Sequence, residues 1–249
     1  MFTSGTFTPA PARASVRSML LAQASIEAKL FLRHGEQQLL SLVIPVAMLI
    51  GLTLVPVLPQ DDPIADVFPF ALGVAGMSAG FTGQAIAVAF DRRYGALKRI
   101  GASGVPSWTI IGGKILAVLG VALFQTVILG TVAAILGFRT SLLGVGLGLL
   151  GVIVGVATFT ALGLLLGGTL GSEIVLASAN LIWFVLIGAA GYATFRGDSP
   201  WLDWVPSVAV VKALAVGFSG TVPWVFLFVL FVWLIIGGLA AVRSFRFTA

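Results

Sequence analysis

The side chains able to do chemistry are few, and many of them sit in one segment. Between Ala89 and Lys114 runs AFDRRYGALKRIGASGVPSWTIIGGK, which carries five of the chain's fourteen lysines and arginines. Asp91, Arg92, Arg93, Lys98, Arg99 and Lys114 offer ion pairing and hydrogen-bond donation. They do not form a nucleotide site. A P-loop needs G-x-x-x-x-G-K followed by Ser or Thr, so that backbone N–H groups cradle phosphates and a hydroxyl meets magnesium. Here Gly112-Gly113-Lys114 is followed by Ile115, and both the spacing and the hydroxyl are missing. The chain has no cysteine and one histidine, His34. Thiol chemistry is therefore absent, and a lone histidine beside charged residues reads as a surface residue. Metal and haem sites need partners that this chain does not supply. The chain is expected to be no enzyme and to hold no cofactor of its own.

What the charged segment can do is dock. Leu97 and Ile100 are three residues apart, so one helical turn places them on one face. Arg92, Arg93, Lys98 and Arg99 frame that face. A short helix of this kind suits a groove on a cytosolic partner.

The elements that must position this segment follow from hydropathy. The 249 residues are 59% hydrophobic and only 9% charged, and mean hydropathy is +1.11. A soluble surface carries about 25% charged residues, so the solvent here is mostly lipid. A spanning helix needs about 20 mostly apolar residues. Six segments qualify: Leu39 to Leu58, Val67 to Phe90, Ile115 to Phe138 (entered through Trp108 to Lys114), Leu142 to Gly168, Ile174 to Thr194, and Val222 to Val242. With both termini in the cytoplasm, eleven of the fourteen basic residues fall inside and only Arg139, Arg196 and Lys212 outside. The positive-inside rule selects that orientation. The net charge of +5 then belongs to an anionic membrane face and not to nucleic acid.

The fold class read from these patterns is an all-α, multi-pass protein of the cell's inner (plasma) membrane. Residues 1–11 form an uncharged Thr/Pro/Ala-rich tail, expected to be disordered and unlike a signal peptide. Residues 12–38 read as a cytoplasmic interfacial helix or an ordinary extension, and residues 39–249 as the six-span domain. The segment Phe195 to Gly220 is too polar and Pro-broken to span. Its Val208 to Phe218 reads as a re-entrant helix before span six, with Lys212 directed to water and Trp201 and Trp204 at the outer interface.

No acid among Glu27, Glu36, Asp61, Asp62, Asp66, Asp91, Glu173, Asp198 and Asp203 falls mid-span. An ion-coupled carrier usually places one there. Thr82, Gln84, Gln125 and Asn180 are the candidates for a translocation path. Together with Ser78, Thr126, Thr158, Thr160 and Ser178 they serve equally well as interhelical hydrogen-bonding groups. Gly144, Gly148, Gly151 and Gly155 mark a closely packed face of span four.

The order Asp91-Arg92-Arg93-Tyr94-Gly95-Ala96-Leu97-Lys98-Arg99-Ile100, then Pro106, then Gly113-Lys114, resembles the permease subunits of ABC-2 type exporters. Asp91, Gly95, Leu97, Ile100 and Lys114 fall on that family's pattern, although Asp91 replaces the usual Glu and the acidic residue that family members often carry near Lys98 is missing. The six-span layout and the re-entrant segment are similar too, and the daunorubicin (drug-resistance) type looks closest. The resemblance implies a coupling helix between spans two and three, with Asp91, Arg92, Arg93, Tyr94, Gly95, Leu97, Lys98, Arg99 and Ile100 as its ATPase-coupling residues. It implies a separate ABC ATPase subunit that holds ATP and Mg, a second permease chain, and export of a lipophilic or amphiphilic drug or lipid-like substrate, as in multidrug efflux. An ATPase-independent carrier or channel, or a haem-export or cytochrome-maturation component, remains an alternative.

Overall fold

A computed structural model describes residues 14–33, 35–55, 63–102, 104–197 and 199–244. The N-terminal tail, His34, Asp61, Asp62, Asp198 and Arg246 lie outside the described residues. Everything regular among the described residues is helical. In order these are α1 (Val16–Arg33), α2 (Gly35–Leu54), α3 (Ile64–Met77), a π-helical segment (Ser78–Thr82), α4 (Gly83–Arg93), α5 (Ala96–Ala102), α6 (Ser107–Ile135), α7 (Leu142–Thr169), α8 (Ser172–Phe195), a 3₁₀ turn (Leu202–Trp204), α9 (Pro206–Phe218) and α10 (Trp224–Ser244).

Five of the expected spans appear as helices of spanning length and hydropathy: Ile64–Arg93, Trp108–Ile135, Leu142–Thr169, Ser172–Phe195 and Trp224–Ser244. The expected first span corresponds to α2, whose apolar stretch Ser41–Leu54 is shorter than a full crossing. Residues 56–62 lie outside the described residues. The chain is thus an all-α, multi-span membrane protein, with five long apolar helices among the described residues.

Span Ile64–Arg93 is the core. It runs unbroken through α3, the π segment and α4, and most of it is covered by protein. Helix α8 is the opposite case, largely uncovered along its length. Its Leu181, Phe184 and Val185 face outward, as lipid-facing side chains must. Helix α7 packs against α10, α9, α4 and α6, and its glycines decide how. A Cβ at Gly163 would stand 2.5 Å from the Phe81 carbonyl oxygen, and one at Gly167 2.2 Å from that of Ala85. Only glycine lets α7 approach the π segment and α4 this closely. At its other half, a Cβ at Gly148 would stand 2.2 Å from the Phe218 ring and one at Gly155 2.3 Å from Val210. The glycine face read from the sequence therefore seats α9 within the same chain.

Helix α9 starts at Pro206, where a missing N–H costs nothing, and nearly all of its length is buried. At its end Thr140 Oγ1 donates to the Phe218 carbonyl at 2.5 Å. The Phe218 ring meets Phe68 at 5.0 Å and Phe138 at 5.6 Å between centroids. Lys212 does not reach out to water as expected. It pairs with Asp203 at 2.5 Å and lies 5.7 Å from the Phe226 ring centroid. Asp203 sits in the 3₁₀ turn just before α9, and that proximity captures the ammonium. Trp204 belongs to the same turn, and its carbonyl accepts from Trp233 Nε1 of α10 at 2.9 Å.

Candidate functional site

The chemistry-bearing residues gather at the end of the bundle where α1, α4, α5, α6 and the close of α7 meet. Lys114 is the centre of this basic end. Its side chain is 1% exposed, and its Nζ lies 2.6 Å from Glu27 Oε1 and 3.2 Å from Asp91 Oδ2. Glu27 comes from α1 and Asp91 from α4, so one ammonium on α6 pins three elements. A buried charge is tolerated only when paired and hydrogen-bonded, and two carboxylates meet that need. Gln23 Nε2 donates to Glu27 Oε1 at 2.9 Å from one turn earlier, which holds the carboxylate toward Lys114.

The two residues before Lys114 make this possible. A Cβ at Gly112 would stand 2.9 Å from Leu20 Cδ2, and one at Gly113 2.5 Å from Gln23 Cγ. Glycine at both positions lets α1 lie directly on α6. Sequence reasoning placed Asp91 and Lys114 in one segment but missed Glu27 as their partner. A small-small-cation run opposite a helix carrying Gln and Glu at i and i+4 is the signal that could have found it.

Arg92 is buried. Its Nη1 donates to the carbonyls of Gly167 at 3.0 Å and Leu170 at 2.9 Å. A helix C-terminus leaves carbonyls without intrahelical partners, and a cation there also meets the helix dipole. Arg92 therefore ties the end of α4 to the end of α7. Arg93 reaches Ser172 Oγ at 3.3 Å and Glu173 Oε1 at 3.5 Å, at the start of α8. That pair is exposed.

Gly95 then turns the chain with φ +71, a conformation that L side chains resist. Helix α5 follows. The expectation was that Leu97 and Ile100 face outward to a partner. Instead Leu97 is fully buried among Val88 of α4, Ile110 and Ile111 of α6, Leu164 of α7 and Ala241 of α10, with Ile100 partly buried beside it. The ends of four helices leave an apolar hollow, and burying Leu97 there is favourable by about 1.5–3 kcal/mol. Arg92 and Arg93, expected to help frame an outward face, are likewise turned to α7 and α8. What α5 and its turn leave outside is Tyr94, Lys98 and Arg99. Tyr94 stacks on Phe90 with 6.0 Å between ring centroids.

Among the described residues no hydrogen bond joins the four proposed path residues to one another. Gln125 is buried and donates to Ser41 Oγ of α2 at 3.2 Å. Asn180 is exposed and donates to the Leu176 carbonyl of its own helix at 2.8 Å. Thr82 and Gln84 lie at the π segment and the start of α4, where Thr82 Oγ1 and Gln84 Oε1 are buried without a hydrogen-bond partner. Thr158, Thr160 and Ser178 bond the carbonyl four residues back, and Thr158 also reaches the Leu230 carbonyl of α10 at 3.1 Å. A crevice between α3, α7 and α9 is apolar, walled by Leu72, Met77, Val152, Phe159, Val210 and Leu214.

The family described as ABC-2 type transporter matches residues 20–221. That stretch includes most of α1, the whole basic end and all of α9. No curated protein matches the chain. A match over most of the length, on an all-α bundle of long apolar helices, settles the family: the chain belongs to the ABC-2 type transporter permeases.

Proposed function

We propose that the chain is the transmembrane permease subunit of an ATP-driven exporter. Permeases of this family are typically non-catalytic, and the family's association with ABC systems implies a nucleotide-binding partner subunit. In this reading the partner hydrolyses ATP in the cytosol and docks on the basic end, from Asp91 to Ile100. A second permease chain completes the pathway in the plasma membrane. The substrate is a lipophilic or amphiphilic molecule, drug or lipid-like.

One observation carries the reading. Helix α5 seals the end of four helices through Leu97, while Lys114 ties the same region to α1. A push on α5 reaches α4 directly, α6, α7 and α10 through the apolar cluster that holds Leu97, and α1 through the ion pairs of Lys114. A segment with that connectivity transmits force without binding nucleotide. A glycan would call for an aromatic-lined polar channel, and a chain with 18 Phe but only two Tyr supports a lipophilic cargo instead.

The test is reconstitution. The chain in lipid nanodiscs should form a complex with its cognate ABC ATPase and raise its rate of ATP hydrolysis. Proteoliposomes holding the chain alone should not move solute on an ion gradient. Solute movement without the ATPase would replace this reading with a secondary carrier.

A further inference from the structure

We infer that the outer side of α5 selects its ATPase by charge, so that the partner's docking groove is acidic with room for an aromatic ring. The inference rests on the permease reading and adds the chemistry of the partner.

Asp91 is drawn to Lys114, and Glu173 stands opposite Arg93. No acid lies in the chain between Asp91 and Glu173. Lys98 and Arg99 are exposed, and no ion pair involves either one among the described residues. Their stems are held by a helix whose other side is buried through Leu97. Beside them Tyr94 is 68% exposed, and its stacking on Phe90 limits its freedom. Two uncompensated cations and an ordered aromatic thus share one surface. Aromatic residues and arginine are the usual anchors of protein interfaces.

Anionic lipid headgroups would also attract these cations, but the geometry favours a protein. Leu97 is buried in one cluster with Val88, Ile110, Ile111, Leu164 and Ala241, each close to the same end of its span. Helix α5 therefore stands at the end of the bundle, and its exposed Lys98 and Arg99 stand there with it, at what the permease reading makes the cytosolic end. Like charges opposed across an interface are strongly unfavourable, so an ATPase with a basic groove would be rejected and an acidic one favoured over a neutral one.

The experiment uses the full chain in nanodiscs and its cognate ATPase. Lys98→Glu with Arg99→Glu should weaken ATPase binding about a hundredfold or more, with no change in the chain's own Tm because both side chains are exposed. Exchanging one groove carboxylate of the ATPase for lysine should restore most of the lost affinity. Raising salt from about 0.1 to 0.5 M should weaken the wild-type complex about tenfold. Unchanged binding by the double variant overturns the inference and leaves the permease reading standing. Binding that instead follows the phosphatidylglycerol content of the nanodisc, whatever the groove carries, assigns the cations to headgroups and overturns it too. A wild-type chain that binds no nucleotide-binding subunit overturns the permease reading itself, and this inference with it.

Discussion

The two ends of the bundle are held by different physics. At the basic end, charges and hydrogen bonds to backbone carbonyls do the work: Lys114 between Glu27 and Asp91, and Arg92 on the close of α7. At the far end, α9 is seated by contact. Its side chains lie on the glycines of α7, and its last ring joins Phe68 and Phe138. Ion pairs can exchange partners over small displacements, whereas interdigitated packing is bistable at best. The contrast assigns the ends different tasks. In the proposed reading the basic end accepts the push, and the far end holds its shape until the push arrives.

Breaking the charged end should have the larger effect. Lys114→Ala leaves Glu27 and Asp91 partly buried with no cation between them, and removal of one partner from a buried ion pair costs about 3–5 kcal/mol. Thermal unfolding in detergent should show a larger loss of Tm for this variant than for any single substitution at the far end. Adding Glu27→Gln and Asp91→Asn to Lys114→Ala should recover part of the loss, because no unpaired charge remains. A triple variant no better than the single one would mean that Lys114 acts through packing of its stem.

The far end should be sensitive to shape instead. A Cβ at Gly144 would stand 2.5 Å from the Phe218 carbonyl oxygen, while Gly146 has nothing within 4 Å. Gly144→Val should cost about 1–3 kcal/mol through overpacking, and Gly146→Val much less. Equal losses would mean that α9 does not rest on this face. Thr140→Val removes the hydroxyl that holds the Phe218 carbonyl and should cost about 0.5–1.5 kcal/mol, read as a smaller Tm shift. Arg93→Ala should cost least, below about 1 kcal/mol, because its pair with Glu173 is exposed and surface ion pairs contribute little. A loss as large as that of Lys114→Ala would show that Arg93, and not the buried ammonium, organises the basic end.

Much of the architecture was legible in the sequence. The spans from Val67 onward, the Pro-broken segment and α9 follow from hydropathy and from Pro206, and their bounds shifted by only a few residues. The site was legible as a list and not as a geometry. Periodicity places Leu97 and Ile100 on one side of α5, but a period does not state what that side faces. Only the hollow formed by Val88, Ile110, Leu164 and Ala241, from four separate helices, decides that it faces inward. Lys114 read as a flanking cation because its partner Glu27 belongs to a helix far upstream. The sequence does not separate path residues from packing residues for a related reason. Hydropathy finds polar positions within spans, but most hydroxyls there are satisfied by their own helix, as Thr160 and Ser178 are.

The central claim is that the ATPase engages the basic end and leaves the far end free. The chain has no cysteine, so single-cysteine labelling reads this directly. Tyr94→Cys reports on the turn before α5 and Trp224→Cys on the start of α10 at the far end, both at exposed positions. With the cognate ATPase bound, maleimide labelling at position 94 should slow by at least about tenfold, the protection expected of a residue covered by a stable interface, while labelling at 224 stays unchanged. Protection at 224 with position 94 still reactive would contradict the account.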